Sequence, residues 1–201
     1  MIKSVSYDQE EIISSIIKLH IPSGVIDCDP TYGKGNFYKK INPPFLKFDI
    51  DPIDNSIAQA DAINLPLADK SLNSIMFDPP FLATKGASLK KNDGSNTINK
   101  RFGVFPTEIE LVEFYDKAIV EFHRILDKKG ILIFKCQDKV SSGKQYFNHC
   151  YIYNSAVESG FYPLDFFVLT AKNRLVADWQ KKNQKHARKF HCYFWVFQKV
   201  N

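Results

Sequence analysis

Residues 74–81 read Ser-Ile-Met-Phe-Asp-Pro-Pro-Phe, and this stretch decides how the rest of the chain is interpreted. Its first half is a short apolar run of the kind that forms a buried strand. Pro79 and Pro80 then end the strand, because proline donates no backbone hydrogen bond and restricts the residue before it. Asp78 is therefore predicted at the carboxyl end of a strand, where open parallel sheets bind their ligands.

Apolar periodicity on either side of this stretch predicts strands that alternate with helices. The predicted strands are 25–29, 45–50, 74–78, 131–134, 166–170 and 191–197, and the predicted helices are 8–19, 107–126 and 154–159. Asp8 and Thr107 are the expected helix caps, Glu110 completes a capping box, and Gly130 follows the end of the second helix. This alternation predicts an α/β fold with a mainly parallel sheet and helices on both faces. The last two strands are expected to form an antiparallel pair at one edge.

The length and composition fit one soluble domain spanning residues 1–201. Hydrophobic residues make up 44% of the chain and charged residues 24%, which is ordinary for a globular protein. The four cysteines and five histidines show no metal-ligand spacing, so no metal site is predicted. The scattered cysteines are predicted to be free thiols, which indicates a reducing compartment. No apolar leader or membrane-length apolar run is present, and we therefore expect a cytoplasmic protein.

The net charge of +5 is concentrated in two segments. Residues 82–107 carry five lysines or arginines and one acid, and residues 181–191 carry five and no acid. Such basic segments favour a polyanionic partner, although solvated surface loops would have the same composition. The length and glycine content of 82–107 predict a mobile loop that closes over the substrate, with an idle segment as the alternative.

Carboxylates stand at the ends of the other predicted strands as well. Asp29 begins the sequence Asp-Pro-Thr-Tyr-Gly-Lys-Gly at 29–35, in which the paired glycines allow a backbone to approach a ligand closely. Asp49, with Asp51 close behind, is placed to accept the hydroxyls of a ribose. Asp61 is placed to receive the amino group of an adenine. Taken singly, a tight turn or a solvated strand end explains each of these.

The chemistry predicted for the proline turn is more specific. A carboxylate at Asp78 and a rigid backbone carbonyl together accept two hydrogen bonds from one amino group, which makes its nitrogen a better nucleophile. The prolines are expected to leave the carbonyls of the turn without local partners. The ring of Phe81 offers a face on which an extruded base can stack. A proline turn with a capping aspartate is the simpler alternative.

These motifs, in this order, resemble the class I S-adenosylmethionine-dependent methyltransferases, within the group of DNA adenine-N6 and cytosine-N4 amino-methyltransferases that includes small phage and prophage methylases. The resemblance is carried by 25–35 as the cofactor loop, Asp49 as the ribose-binding acid, Asp61 with 65–66 as the adenine segment, 78–81 as the catalytic motif and 191–199 as the last core strand. It implies the Rossmann-like class I methyltransferase fold and S-adenosyl-L-methionine as cofactor, with no metal.

The resemblance and the basic segments together give three sets of candidate site residues. The catalytic set is Asp78, Pro79, Pro80 and Phe81. The cofactor-binding set is Asp29, Pro30, Thr31, Gly33, Gly35, Asp49, Asp51, Asp61 and Ala62. The substrate-binding set is Lys85, Lys100, Arg101, Gln137 and Arg188.

Several alternatives stay open on the sequence. Residues 52–60 are too short for a crossover helix, which leaves the ribose contact between Asp49 and Asp51. No separate target-recognition module fits, and Phe81 does not distinguish adenine from cytosine. DNA is favoured as the partner, while RNA base methylation, protein methylation and a catalytically inactive regulatory protein remain alternatives. A nicotinamide-dependent oxidoreductase is disfavoured because Tyr38 stands where the third glycine of GxGxxG is needed. The oligomeric state is open.

Overall fold

The computed structural model describes residues 1–83, 104–141, 143–172 and 184–200. The described strands are β1 (Val5–Ser6), β2 (Cys28–Asp29), β3 (Leu46–Asp49), β4 (Ala58–Gln59), β5 (Leu72–Phe77), β6 (Leu126–Cys136), β7 (Lys139–Ser141), β8 (Lys144–Tyr146), β9 (Phe161–Thr170) and β10 (His191–Lys199). The described helices are α1 (Gln9–His20), α2 (Glu108–Ile125) and α3 (Asn148–Glu158). All the predicted helices and strands are thus present, most with shifted bounds.

Eight of these strands form one sheet in the order β1-β9-β10-β6-β5-β2-β3-β4. β10 runs antiparallel to both of its neighbours, β6 and β9, and the other pairings are parallel. The mainly parallel sheet and its antiparallel pair are therefore confirmed. The pair does not form the edge itself, because the two-residue strand β1 lies outside β9. A strand that short has no periodicity from which to predict it.

The two faces of the sheet bury separate hydrophobic clusters, because strand side chains point alternately to opposite faces. α1 covers one face through Ile12, Ile13 and Ile16, which pack with Met76 and Ile133 of the sheet. α2 and α3 cover the other face, where Tyr115, Phe122 and Ile152 pack with Phe77 and Phe134. The prediction of helices on both faces is confirmed.

The starts of α1 and α2 and the end of α2 lie within one residue of their predicted positions, whereas α3 begins at Asn148, six residues before its predicted start at 154. Oδ1 of Asp8 accepts a hydrogen bond from the backbone N–H of Glu10 at 2.9 Å, and Oγ1 of Thr107 accepts one from Glu110 at 3.2 Å. α2 ends at Ile125 and the chain enters β6 directly. The left-handed residue after it is Lys129, with φ +64°, and not the expected Gly130.

The connections on the β2–β4 side of the sheet are short. Only Cys28–Asp29 of the predicted strand 25–29 pairs in the sheet, and residues 50–57 contain turns and no helix. As expected, residues 52–60 form no crossover helix in the described chain. Consequently the carboxyl ends of β2, β3 and β4 lie side by side, next to the end of β5. None of the described helices is long and apolar enough to cross a membrane.

Candidate active site

Asp78 follows β5 directly, and its two carboxylate oxygens have different surroundings. Oδ2 lies 3.3 Å from Nζ of Lys135, on the neighbouring strand β6. Oδ1 is buried and has no hydrogen-bond partner among the described residues. A buried acceptor without a partner costs free energy, so it is usually kept where a ligand supplies the donor. The side chain as a whole is 25% exposed, which leaves it accessible from one side.

The carbonyls of the proline turn also differ in whether a described residue donates a hydrogen bond to them. The hydroxyl of Tyr115 on α2 donates to the carbonyl of Pro80 at 2.7 Å. The ammonium of Lys139 donates to the carbonyl of Phe81 at 2.7 Å and pairs with Glu108 at 2.9 Å. The expectation that this turn has no local partners is therefore wrong for these two carbonyls. No described residue donates to the carbonyl of Pro79, the one next to Asp78.

Lys135 is a site residue that the sequence analysis did not identify. The residue is only 9% exposed, and its ammonium lies 4.7 Å from the ring centroid of Phe37, 5.6 Å from Phe81 and 5.8 Å from Phe194. Burial raises the pKa of Asp78 above its ordinary value, and the charge and hydrogen bond of Lys135 oppose that rise. The signal in the sequence was a lysine inside the apolar run of β6, where charges are rarely buried without a partner.

The predicted cofactor loop after β2 is organised around Asp29, which is 1% exposed. Its carboxylate accepts hydrogen bonds from the backbone and hydroxyl of Thr31, at 2.8 and 3.1 Å, and from the hydroxyl of Tyr38 at 2.7 Å. Burial raises the pKa of Asp29 to about 7, against the lowering effect of these hydrogen bonds. Asp29 is thus placed to shape the loop from within, and Pro30, which follows it, is also buried.

Thr31 links this loop to the proline turn. Its Oγ1 donates to Asp29 and accepts a hydrogen bond from the backbone N–H of Asp78 at 2.9 Å. Because one hydroxyl serves both segments, the backbone of Asp78 is fixed relative to the loop. The structure therefore brings together two motifs that are separated by about fifty residues in the sequence.

The two glycines of the loop both adopt left-handed backbone conformations, with φ +54° at Gly33 and +62° at Gly35. Such angles are strained for residues with a side chain. A Cβ atom at Gly35 would also lie 2.6 Å from the hydroxyl oxygen of Tyr32. The backbone N–H of Gly33 donates to Oδ2 of Asp49 at 2.9 Å, which ties the loop to the end of β3.

The remaining cofactor candidates continue this edge of the sheet. Oδ1 of Asp49 accepts the backbone N–H of Asp51 at 2.9 Å, and the side chain of Asp51 is exposed. The carbonyl of Asp49 accepts the N–H of Ala60 at 3.1 Å, so Asp61 and the buried Ala62 follow immediately beside Asp49. The candidate cofactor-binding residues from Asp29 to Asp61 are therefore neighbours in space, in the same order as in the sequence.

Of the five candidate substrate-binding residues, the structure describes only Gln137 and Arg188. Lys85, Lys100 and Arg101 lie outside the described residues, as does most of the predicted loop 82–107. Gln137 follows β6 and donates to the carbonyl of His191 at 3.0 Å. Arg188 is partly buried shortly before β10. In the part of the chain that is described, no group of three or more histidines, cysteines or acids is arranged to hold a metal ion.

Several solved structures share this architecture. The [4+2]-cyclase SpnF matches with a TM-score of 0.54 and 14% identity, over 95% of this chain and 81% of SpnF. TrmN from Thermus thermophilus has the same TM-score and identity, over 95% of this chain and 49% of TrmN. TTHA0409, a putative DNA modification methylase from the same organism, matches at a TM-score of 0.42 and 15% identity, over 71% of this chain and 51% of its own. No family model matches the chain, and neither does any curated protein.

The chain has the Rossmann-like fold of the class I methyltransferases. The strand order agrees with it, because β10 lies antiparallel between β6 and β9 and the carboxyl ends of β5, β2, β3 and β4 lie side by side. At these low sequence identities the structural similarity establishes the fold alone, so the reaction has to be inferred from the site. The chain spans about half the length of TrmN and of TTHA0409.

Proposed function

We propose that this protein transfers a methyl group from S-adenosyl-L-methionine to the exocyclic amino group of a base in DNA, at adenine N6 or cytosine N4. One observation carries the proposal: buried Oδ1 of Asp78 has no partner among the described residues, and none of them donates to the carbonyl of Pro79, the next residue, whereas the carbonyls of Pro80 and Phe81 are occupied. Two adjacent acceptors of this kind match the two N–H groups of one amino group.

The residues on the β2–β4 side fit a nucleoside cofactor. Gly33 and Gly35 hold a tight loop in left-handed backbone conformations, and a Cβ at Gly35 would lie 2.6 Å from the hydroxyl oxygen of Tyr32. Asp49 accepts hydrogen bonds from the backbone N–H groups of Gly33 and Asp51 at the end of β3, a position from which a carboxylate can contact ribose hydroxyls. Asp51 is the alternative ribose contact, and Asp61 with Ala62 would hold the adenine. Pro30 and Thr31 complete the surface next to the transferred group.

The reaction that we infer needs positioning and electrostatics rather than a covalent enzyme intermediate. Oδ1 of Asp78 and the carbonyl of Pro79 hold the amino group, and the ring of Phe81 stacks on the base. The cofactor supplies a methyl group on a sulfonium. The nitrogen lone pair forms the new N–C bond while the electrons of the S–C bond stay on sulfur. The extra proton on nitrogen leaves to Oδ1 of Asp78 and then to water, which suits a carboxyl whose pKa is raised by burial.

DNA is our first choice of substrate, and RNA is the second. The two basic segments identified in the sequence support a nucleic acid over a protein, since no acid balances residues 181–191. The turn chemistry is the same for an adenine, cytosine or guanine amino group in either polymer. A cofactor-binding protein without catalytic activity would keep the Gly33–Asp49 arrangement but has no need for the acceptors at Asp78 and Pro79.

The experiment supplies tritiated S-adenosyl-L-methionine with DNA, RNA and protein substrates and identifies the labelled nucleoside by mass spectrometry. We expect N6-methyladenine or N4-methylcytosine from DNA. Asp78→Ala should lower kcat by about 10²- to 10³-fold, the range found when one transition-state hydrogen bond is removed. Binding of the cofactor, measured by equilibrium dialysis, should stay within about twofold because Asp78 contacts only the amino group in this scheme.

The exposed Asp127 provides the matched control, because Asp127→Ala removes an acid from β6 far along the strand from Lys135. This variant should transfer methyl at the wild-type rate. Label that appears only in protein, or wild-type activity in Asp78→Ala, contradicts the proposal. Cofactor binding by the wild type without transfer to any polymer supports the inactive regulatory protein instead.

A further inference from the structure

A second concave site lies on the same side of the molecule as Asp78. It is a cavity of about 550 Å³ at the carboxyl end of β9 and the start of β10, next to the beginning of α1. Its described lining includes Tyr7, Gln137, Lys172, Lys189, Phe190 and His191. None of the chemistry proposed above uses this cavity, although Gln137 was predicted as a substrate contact from the sequence.

The lining combines exposed aromatic rings with positive charge. Tyr7 is 67% exposed and Phe190 is 37% exposed, so both rings are accessible at the cavity. The ammonium of Lys172 lies 5.5 Å from the ring centroid of Tyr7, and Lys189 adds a second cation. The described lining contains no carboxylate. Aromatic platforms beside cations are the elements with which proteins bind single-stranded nucleic acids.

The cavity is close enough to the proline turn to act on the same substrate. Gln137, which lines the cavity, lies two residues beyond Lys135, or about 7 Å along an extended chain. Nζ of Lys135 is 3.3 Å from Asp78. A strand whose target base is held at Asp78 therefore has its neighbouring nucleotides within reach of the cavity.

We propose that this cavity binds a nucleotide of the substrate strand next to the target base, in single-stranded form. Tyr7 and Phe190 stack on the base, Lys172 contacts the phosphate, and the Gln137 amide lies at the polar edge of the site. This inference rests on the proposed function, because it assigns the cavity to the same substrate. It adds a preference for unpaired nucleic acid, since a base inside a duplex cannot stack on protein rings.

The test measures binding of a fluorescein-labelled single strand of about 12 nucleotides, as DNA and as RNA, by fluorescence anisotropy. The double variant Tyr7→Ala/Phe190→Ala should bind at least about fivefold more weakly than the wild type. Lys172→Gln should reduce the slope of log K against log salt by about 0.7, the value for one phosphate contact on a single strand. A duplex of the same sequence should bind more weakly than the single strand.

Two variants serve as matched controls. Tyr162→Ala removes an equally exposed ring from the other end of β9, and Lys18→Gln removes a lysine that lines a smaller cavity of about 280 Å³ beside α1. Both should bind within about twofold of the wild type. If the double variant binds the strand as tightly as the wild type does, the inference is overturned. It is also overturned if a glutamate-rich peptide binds the wild type as tightly as the strand does and the double variant no longer binds that peptide.

Methyl transfer distinguishes failure of this inference from failure of the proposed function. If the double variant methylates the oligonucleotide with an unchanged KM, the proposed function stands and the assignment of the cavity is wrong. A raised KM with kcat largely retained supports the assignment, because the cavity then contributes binding away from the reacting amine. If the wild type transfers no methyl to any nucleic acid, the proposed function fails and this inference fails with it.

Discussion

Lys135 has an environment that explains why a lysine is kept inside the sheet. Three aromatic rings lie within 5.8 Å of its ammonium, and the only carboxylate paired with it in the described residues is that of Asp78. The rings stabilise the cation where water is scarce. The cation in turn holds Oδ2 of Asp78 and opposes the rise that burial causes in the pKa of that carboxyl. Lys135 is therefore a positioning residue that acts through Asp78.

Replacing Lys135 with methionine tests this role through the pH profile. Without the ammonium the pKa of Asp78 rises further, because burial is then unopposed by a nearby positive charge. The rising limb of kcat against pH should therefore move to higher pH, with activity partly recovered at alkaline pH. Steady-state kinetics between about pH 5 and pH 9.5 measure the shift. Lys135→Arg, which keeps the charge, should leave the limb near its wild-type position, and an unmoved limb in Lys135→Met contradicts the role.

The residue scale also shows what the sequence could and could not predict. Asp29, Asp49 and Asp78 were predicted from their positions after apolar strands, and they do lie at adjacent strand ends. The hydrogen bonds that join these segments were not predicted, since Thr31 accepts from the backbone N–H of Asp78, which is 47 residues away in the sequence. Neither was Lys135, whose partner is 57 residues away. Local patterns give the positions of side chains along a strand, whereas their partners depend on strand order.

Among the elements, α2 does more than cover the sheet. Glu121 of this helix is 8% exposed and accepts the backbone N–H of Leu65 at 2.8 Å. Arg124 donates to both carboxylate oxygens of Glu121, to Asp69 and to the carbonyls of Leu65 and Leu67. Burial alone would raise the pKa of Glu121, and these hydrogen bonds outweigh it and hold the pKa below its ordinary value. The helix thereby fixes the segment that follows Asp61.

Removing Arg124 should therefore loosen the adenine side of the proposed cofactor site. Arg124→Ala leaves the buried Glu121 carboxylate with only the N–H of Leu65 as a donor and removes the arginine donor from the carbonyl of Leu67. We expect a loss of about 2 kcal/mol of unfolding free energy, discounted for partial exposure of the arginine. Urea denaturation measures it, and cofactor affinity should fall in parallel. The exposed Lys117 on the same helix is the control, since Lys117→Ala should change stability by less than about 0.5 kcal/mol. Equal stabilities for the two variants contradict this account.

Element boundaries show where sequence patterns stop being informative. The starts of α1 and α2 were predicted because Asp8 and Thr107 cap them with local hydrogen bonds. The end of α2 was predicted to within one residue, but the glycine signal was wrong, because the chain passes straight into β6 and Gly130 lies inside that strand. β1 was missed because two residues carry no periodicity, and its place beside β9 depends on the register Val5 to Val168.

Over the whole molecule, the fold gathers buried acids at one end of its sheet. Asp29 is 1% exposed and Asp78 is partly buried, and the charge of Asp78 disfavours ionisation of Asp29. Such an arrangement does not serve stability, since buried carboxylates are costly to ionise. It does serve a site that must accept hydrogen bonds from a ligand. Stability and site chemistry should therefore depend on pH in opposite directions.

This opposition gives a prediction for unfolding. The pKa of Asp29 is about 7 in the folded chain, above the value near 3.9 of an unfolded aspartate, so the folded state binds the proton more tightly. The stability from this group is complete below about pH 4 and is lost as pH rises through about 7. Between pH 5 and pH 8, Asp29→Asn should lose about 2 to 3 kcal/mol less unfolding free energy than the wild type. Urea titrations across that range measure the difference, with Asp127→Asn as the exposed control. Parallel curves for the wild type and Asp29→Asn would show that Asp29 is ionised throughout, and the buried proton that we assign to it at acid pH would then be absent.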